Sequence, residues 1–254
     1  MIEAAYKKKG IRISQVWFAS KEDKEQEKAD IVFFHGMSEP STGKSSVSVP
    51  FHTLITDLTR STEEMHSSIN KTVQYQIRRN DKDSITCKVF TSRELLLNHN
   101  VIEQLADLYK IMYREKGDEK SLNMSQIQAY LKRDALLLTG VFKEDKPLVF
   151  HSYIVGDDQA RLLHSVSDFR SESADASLIA RSNKRLHWED ICMFKKNGKK
   201  IYDWGGISSL DNPNGIDEFK FKFGGSPLTY YNVYKGESVL GKIAITLFRW
   251  KNRI

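Results

Sequence analysis

Residues 202–227 read YDWGGISSLDNPNGIDEFKFKFGGSP, the stretch of the chain with the greatest chemical reach. Lys220 and Lys222 alternate with Phe219, Phe221 and Phe223. If the segment is extended, the three rings share one face and the two ammonium groups the other. An ammonium in a partly desolvated pocket stabilises developing negative charge far more than one in water. The same alternation also suits a basic edge strand whose lysines deter aggregation. Asp203 ends a strand just before Gly205 and Gly206, where it can orient a nucleophile, take its proton, or cap the Gly–Gly turn. The two glycines permit close backbone approach to a ligand or simply make a turn. His164, in RLLHSVSD, is a candidate general base or a structural strand histidine, and His151 in VFHSYIV poses the same choice. Arg181, Asn183 and Arg185 lie on one predicted helix and could hold phosphates. Lys71, Arg78 and Arg79 lie on another, either gripping an anionic ligand or forming a solvated basic face.

The elements that must position these groups follow from hydrophobic period and punctuation. IRISQVWFA, IVFFHG and FHTLITDLT read as strands, with KEDKEQEKAD a solvated turn or short helix between the first two. SEPSTGKSS has the Gly43-Lys44-Ser45 end of a P-loop. However, Ser38 stands where the first glycine belongs, and the β-branched run broken by Pro50 is no helix, so the reading is a loop. Met65, Ile69, Val73 and Ile77 recur every fourth residue after Ser61 and Glu64, which predicts one capped amphipathic helix. SITCKVF is a strand, NHNVIEQLADLYKIMYREKG a helix stopped at Gly117, and a shorter helix begins near Ser125. Residues 135–168 read as three strands joined by EDKP and GDDQ turns. A long helix then runs to Gly198, KKIYDWGG forms a strand, and the tail holds one more strand and an amphipathic helix. A helix pair, an antiparallel meander and a βαβ crossover make a mixed α/β sheet.

The 254 residues suffice for one large domain or two small ones with a real core. A hydrophobic content of 40% and charged content of 28% are ordinary for a globular protein. No apolar run approaches the length of a membrane span, and no apolar stretch follows the N-terminal basic cluster, so a cytoplasmic location is expected. Cys87 and Cys192 lack neighbours at metal-ligand spacing and read as two reduced, buried thiols; no metal is expected. A net charge of +6 favours anionic partners without choosing among them.

The order of elements from Ile85, together with IYDWGGI and GIDEFKFKFGG, resembles the GNAT acyltransferase superfamily. More narrowly it resembles the Fem-type branch, which includes the transferases of peptidoglycan cross-bridges and related acetyltransferase-like proteins. The branch's pattern of Tyr-Asp-Phe-Gly-Gly, a loop, then Gly-Ile-Tyr-x-Phe-Lys-x-x-Phe-Gly-Gly is met at Tyr202, Asp203, Gly205, Gly206, Gly215, Ile216, Phe219, Lys220, Phe223, Gly224 and Gly225. Trp204 stands for the usual Phe and Asp217 for the usual Tyr.

The resemblance implies an α/β fold with a GNAT-like, mostly antiparallel mixed sheet flanked by helices. The expected division is a partial N-terminal subdomain over residues 1–84 and an acyltransferase domain over 85–254. It implies N-acyl transfer to an amine of a cell-envelope or polysaccharide precursor, expected to be a nucleotide-linked amino sugar. Acyl-CoA is the donor; an aminoacyl-tRNA donor and a non-catalytic binding protein are the alternatives. It makes Lys220, Asp203 and His164 the catalytic candidates. Tyr202, Trp204, Gly205, Gly206, Phe219 and Phe223, with Lys71, Arg78 and Arg79, become the substrate-binding set. Arg181, Asn183 and Arg185 become the donor-binding set. No DNA partner is expected, and the protein is a monomer or homodimer. The glycine-rich loop that cradles a CoA pyrophosphate in most GNATs is replaced here by glycine-free SDFRSESADASLIARSN.

Overall fold

The computed structural model describes residues 1–20, 28–43, 45–169 and 175–252. Most of the KEDKEQEKAD turn, Lys44 of the GKS triplet and residues 170–174 of the glycine-free loop lie outside the described residues. In chain order the elements are β1 (Ile2–Lys8), β2 (Ile11–Trp17), β3 (Ile31–Met37), β4 (Ser46–Asp57), α1 (Thr62–Ser68), α2 (Lys71–Asn80), β5 (Thr86–Thr91), α3 (Ser92–Leu97) and α4 (His99–Glu115). There follow α5 (Met124–Lys132), β6 (Leu136–Lys143), β7 (Lys146–Val155), β8 (Gln159–Ser167), α6 (Ala176–Lys196), β9 (Ile201–Gly206), α7 (Gly215–Phe221), β10 (Ser226–Gly236) and α8 (Val239–Asn252).

All ten strands form one mixed, mostly antiparallel sheet in the order β1-β2-β3-β10-β4-β9-β8-β7-β6-β5. The expected meander is β6-β7-β8, and the expected crossover carries α6 between the parallel strands β8 and β9. The sheet runs unbroken across residue 84, because β10 lies between β3 and β4 and pairs with both. One face is covered by α3, α4 and α5, whose Leu95, Ile102, Leu105 and Tyr130 pack on Leu138, Phe150 and Val166. The other carries α1, α2 and α6, with Met65, Val73, Ile191 and Phe194 against Tyr153, Tyr202 and Trp204. Burial of this apolar surface is the main force holding the layers together.

Several local expectations are corrected. The predicted helix over 61–80 is two helices, α1 and α2. The Ser61–Glu64 capping box starts α1, but Asn70 interrupts it, donating its backbone N–H to Lys222 O at 2.8 Å and capping α2 through Thr72 N. The four-residue apolar period survives the break because all four residues enter one core. The FKFKF segment is not extended. It lies in and just after α7, which begins with a capping box between Asn214 and Asp217. Phe219 and Phe223 therefore meet at helical spacing, rings 5.4 Å apart, instead of sharing a strand face with Phe221. The cysteines are free, but Cys87 is exposed and Cys192 only half-buried, so neither is the buried thiol expected. No helix of the described residues is long and apolar enough to cross a membrane.

Candidate active site

β8 and β9 pair over only three positions, ending at Arg161 opposite Asp203. That last pair is a buried ion pair: Arg161 Nε donates to Asp203 Oδ2 at 2.7 Å. The other carboxylate oxygen accepts from Thr53 Oγ1 at 2.6 Å and from Gly205 N at 2.9 Å. The guanidinium stands 5.0 Å from the Phe51 ring centroid, 5.1 Å from Tyr230 and 5.8 Å from Trp17. Both oxygens of Asp203 thus have donors, as a carboxylate without solvent requires. Gly205 follows at φ +69°, and a Cβ there would lie 2.6 Å from Leu162 O. Only glycine turns the chain this tightly against β8.

Past this clamp the two strands no longer pair, and a cavity of about 390 Å³ opens over the end of β8, walled by α4, α6 and α7. Met112 of α4 and Lys116 at its C-terminal cap form one wall, and Leu162 and Ser165 of β8 the floor. Asn183, Lys184 and His187 of α6 face Ile216, Phe219 and Lys220 of α7. Lys220 is half-buried and its Nζ donates to Gly206 O at 2.6 Å. Burial pushes its ammonium down to about 8, partly opposed by the carboxylates of Asp217 and Asp203. Lys184 lies over the Phe219 ring at 5.6 Å, and burial, with the nearby Lys222 charge, lowers its pKa as well. Glu115 also lines the cavity, and its Oε2 is buried without a hydrogen-bond partner among the described residues.

A buried polar chain backs the α6 wall. His187 Nδ1 bonds Tyr202 Oη at 2.9 Å, Tyr202 bonds Tyr153 at 2.9 Å, and Tyr153 donates to Asp190 Oδ2 at 2.6 Å. Asp190 also contacts His151 Nδ1 at 2.8 Å, and His151 Nε2 bonds Asn183 Oδ1 at 2.7 Å. The chain therefore begins and ends on residues of the cavity wall, His187 and Asn183. Burial holds His187 well below the usual imidazole range, with the rings and charges of His151, Lys220 and Lys184 acting the same way, so it is neutral.

The cavity thus brings together Lys220, Phe219 and Asn183, and Gly206 joins them through its carbonyl. It leaves out the other sequence candidates. Asp203 is committed to Arg161, Thr53 and Gly205. Tyr202, Trp204 and Phe223 are core, packed around His187, and Tyr202 reaches the cavity only through its hydroxyl bond to that ring. A bulge in β8 beside Leu163 turns His164 to the α4 face, where its Nδ1 meets Ser152 Oγ at 2.9 Å and its ring meets Tyr109. Burial pushes that imidazole down to about 4. Arg181 pairs with Asp83, and Arg185 with Asp81 and Glu189, so both tie α6 to the end of α2 instead of facing the cavity. Lys71, Arg78 and Arg79 are exposed on α2 and do not line the cavity. Sequence reasoning passed over Lys184, Glu115, Arg161 and the Asp190 network. Of these, Arg161 carried a readable signal: a lone cation in an apolar strand needs a buried partner.

The mixed, mostly antiparallel sheet flanked by helices is a GNAT-like α/β fold, shared with FemX. FemX superposes with a TM-score of 0.57 at 14% identity, covering 85% of this chain and 68% of that one. The C-terminal (DUF2156) domain of a protein named as a lysylphosphatidylglycerol synthetase from Agrobacterium fabrum gives 0.56 at 14% identity, covering 85% and 70%. L-PGS from Bacillus licheniformis gives 0.51 at 12%, covering 86% and 71%. No protein-family model matches the sequence, and no curated protein matches it.

Proposed function

We propose that this chain is an acyl-group transferase that moves an activated acyl or aminoacyl group onto an amine within the cavity that β8, α4, α6 and α7 enclose. The observation that carries the reading is Lys220: a desolvated ammonium at the cavity wall, held by Gly206 O, with two N–H donors left over. In the reaction the amine nitrogen bonds the acyl carbon, the carbonyl π electrons move to oxygen, and collapse expels the donor's thiolate or alkoxide. The proton lost by the amine ends on that leaving group. Lys220 stabilises the oxyanion while protonated, and fixed donors of this kind contribute about 10²–10³ in rate. Neutral His187 accepts a hydrogen bond from the amine, and the Tyr202–Tyr153–Asp190 chain fixes its ring. Glu115, with its unpartnered oxygen, suits an amine that arrives as a cation and takes its extra proton before the attack.

The finer reading is acyl-CoA as donor and an amine of an anionic envelope precursor, such as a nucleotide-linked amino sugar, as acceptor. Against CoA stands the use of Arg181 and Arg185 in ion pairs with α2 and its turn, which leaves Lys116 and Lys184 as the other cavity cations. That observation favours the second reading, an aminoacyl donor like that of Fem-type enzymes. Thermal shift against acetyl-CoA, CoA, aminoacyl esters and nucleotide sugars separates the two, because a ligand of the folded state raises the melting temperature by mass action. A CoA-thioester shift lost in Lys184→Ala supports the first. A shift with aminoacyl esters alone supports the second, and no shift with any of them contradicts both.

A further inference from the structure

The α8 helix presents an apolar stripe that nothing among the described residues covers. Ile245 and Phe248 face inward, and Phe248 packs on Tyr234 with ring centroids 5.1 Å apart. At about 100° per residue, Val239, Trp250, Ile243, Leu247 and Leu240 fall in a continuous arc of roughly 100° on the outer side. All five are exposed, Val239 by 75% and Trp250 by 82%. Lys242 and Arg249 border the arc on one edge and Lys251 on the other, and the helix has no acidic residue. None of these three cations has an ion pair among the described residues. Lys8, in the exposed Lys7–Lys9 turn, lines a groove with Ala244, Ile245 and Phe248, so further positive charge lies beside the helix.

We propose that α8 docks this protein onto an anionic lipid surface, lying in the plane of the interface. The charge pattern selects this occupant. A second copy in a two-fold pairing would set Lys242, Arg249 and Lys251 against the same cations of its partner. A bilayer with anionic headgroups instead accepts an apolar arc at depth, with cations at both edges reaching the headgroups. Trp250, within the arc and near its Val239 edge, suits the headgroup boundary. The inner face already fixes the helix, so docking does not bear the cost of folding it.

Co-sedimentation with vesicles of phosphatidylcholine alone, and with one-third phosphatidylglycerol, tests the proposal. Binding is expected to the anionic vesicles only, and to weaken as salt is raised. Each of Lys242→Ala and Lys251→Ala should weaken partition about fivefold. Leu247→Ser with Trp250→Ser should weaken it more than tenfold, while Leu97→Ser, equally exposed elsewhere, should change nothing. Trp17 and Trp204 are buried and Trp188 is half-buried, so a vesicle-induced blue shift of tryptophan emission that disappears in Trp250→Ser would place that ring in the interface. Matching melting temperatures would show that the variants fold. Failure of the wild type to bind anionic vesicles at low salt overturns the proposal. So does equal binding to both vesicle types, or a dimer that Leu247→Ser dissociates.

Discussion

Replacing Arg161 by Met removes one partner from a pair with only 5% and 0% of its side chains exposed. Asp203 would keep the donors Thr53 Oγ1 and Gly205 N but lose its ion-pair partner, and the three aromatic rings around the guanidinium would face an uncharged side chain. Breaking one partner from a buried ion pair costs about 3–5 kcal/mol, because the remaining charge stays desolvated. For a chain of this size each kcal/mol moves Tm by about 2–4 °C, so a loss of roughly 6–20 °C is expected. Asp203→Asn should cost less, about 2–3 kcal/mol, since the guanidinium keeps its ring contacts. The double variant Arg161→Met with Asp203→Asn should be more stable than the sum of the singles predicts, by about 1.5 kcal/mol or more. Urea denaturation of all four proteins at pH 7 measures the cycle. The pair is also the last rung before β8 and β9 part, so the singles should lose transferase activity as well as stability. A cost below 1 kcal/mol for Arg161→Met, or additive singles, would refute the view that this pair holds the fork.

Other consequences are as direct. Gly205→Ala places a methyl 2.6 Å from Leu162 O at φ +69° and should destabilise by about 2 kcal/mol or more, read by the same urea titration. Lys220 has its pKa lowered to about 8, so between pH 8 and the usual lysine value the unfolded chain holds a proton that the folded one releases. Wild-type stability should therefore rise through that window; Lys220→Met should lack the rise and exceed wild type below pH 8 by about 1 kcal/mol, discounted for the solvent-facing side. Lower stability of Lys220→Met at pH 7 would contradict the desolvation. His164, pushed down to about 4 by burial, resists the proton that the unfolded chain takes up below about pH 6.5. Wild-type stability should fall as pH drops from 6.5 to 4, and fall less in His164→Gln, which should keep acyl transfer within about threefold because the ring faces α4.

The meander β6-β7-β8, the α6 crossover and the capped start of α1 were legible because each rests on local period and cap chemistry. The α7 helix was hidden by its own sequence. FKFKF alternates like a strand, yet Asn214 and Asp217 form the cap, and Phe219 and Phe223 pair at the fourth residue. Lys220 was singled out by its motif, but its lowered pKa comes from burial, which depends on tertiary packing. The roles expected of Asp203 and the α6 arginines changed for the same reason. Their partners Arg161, Asp83 and Asp81 are remote in sequence, and nothing local marks them. The bulge at Leu163, which turns His164 off the cavity, is likewise a matter of register between β7 and β8.

The most direct test of the account is the pH dependence of acyl transfer by wild type and Lys220→Ala, using the donor that the thermal-shift panel selects. The account predicts a wild-type rate that declines as pH rises through about 8, as the ammonium is lost. It also predicts a roughly 10²-fold or greater loss of kcat in Lys220→Ala without loss of fold. A variant within about twofold of wild type, or a wild-type rate that rises through that pH, would contradict the role of Lys220.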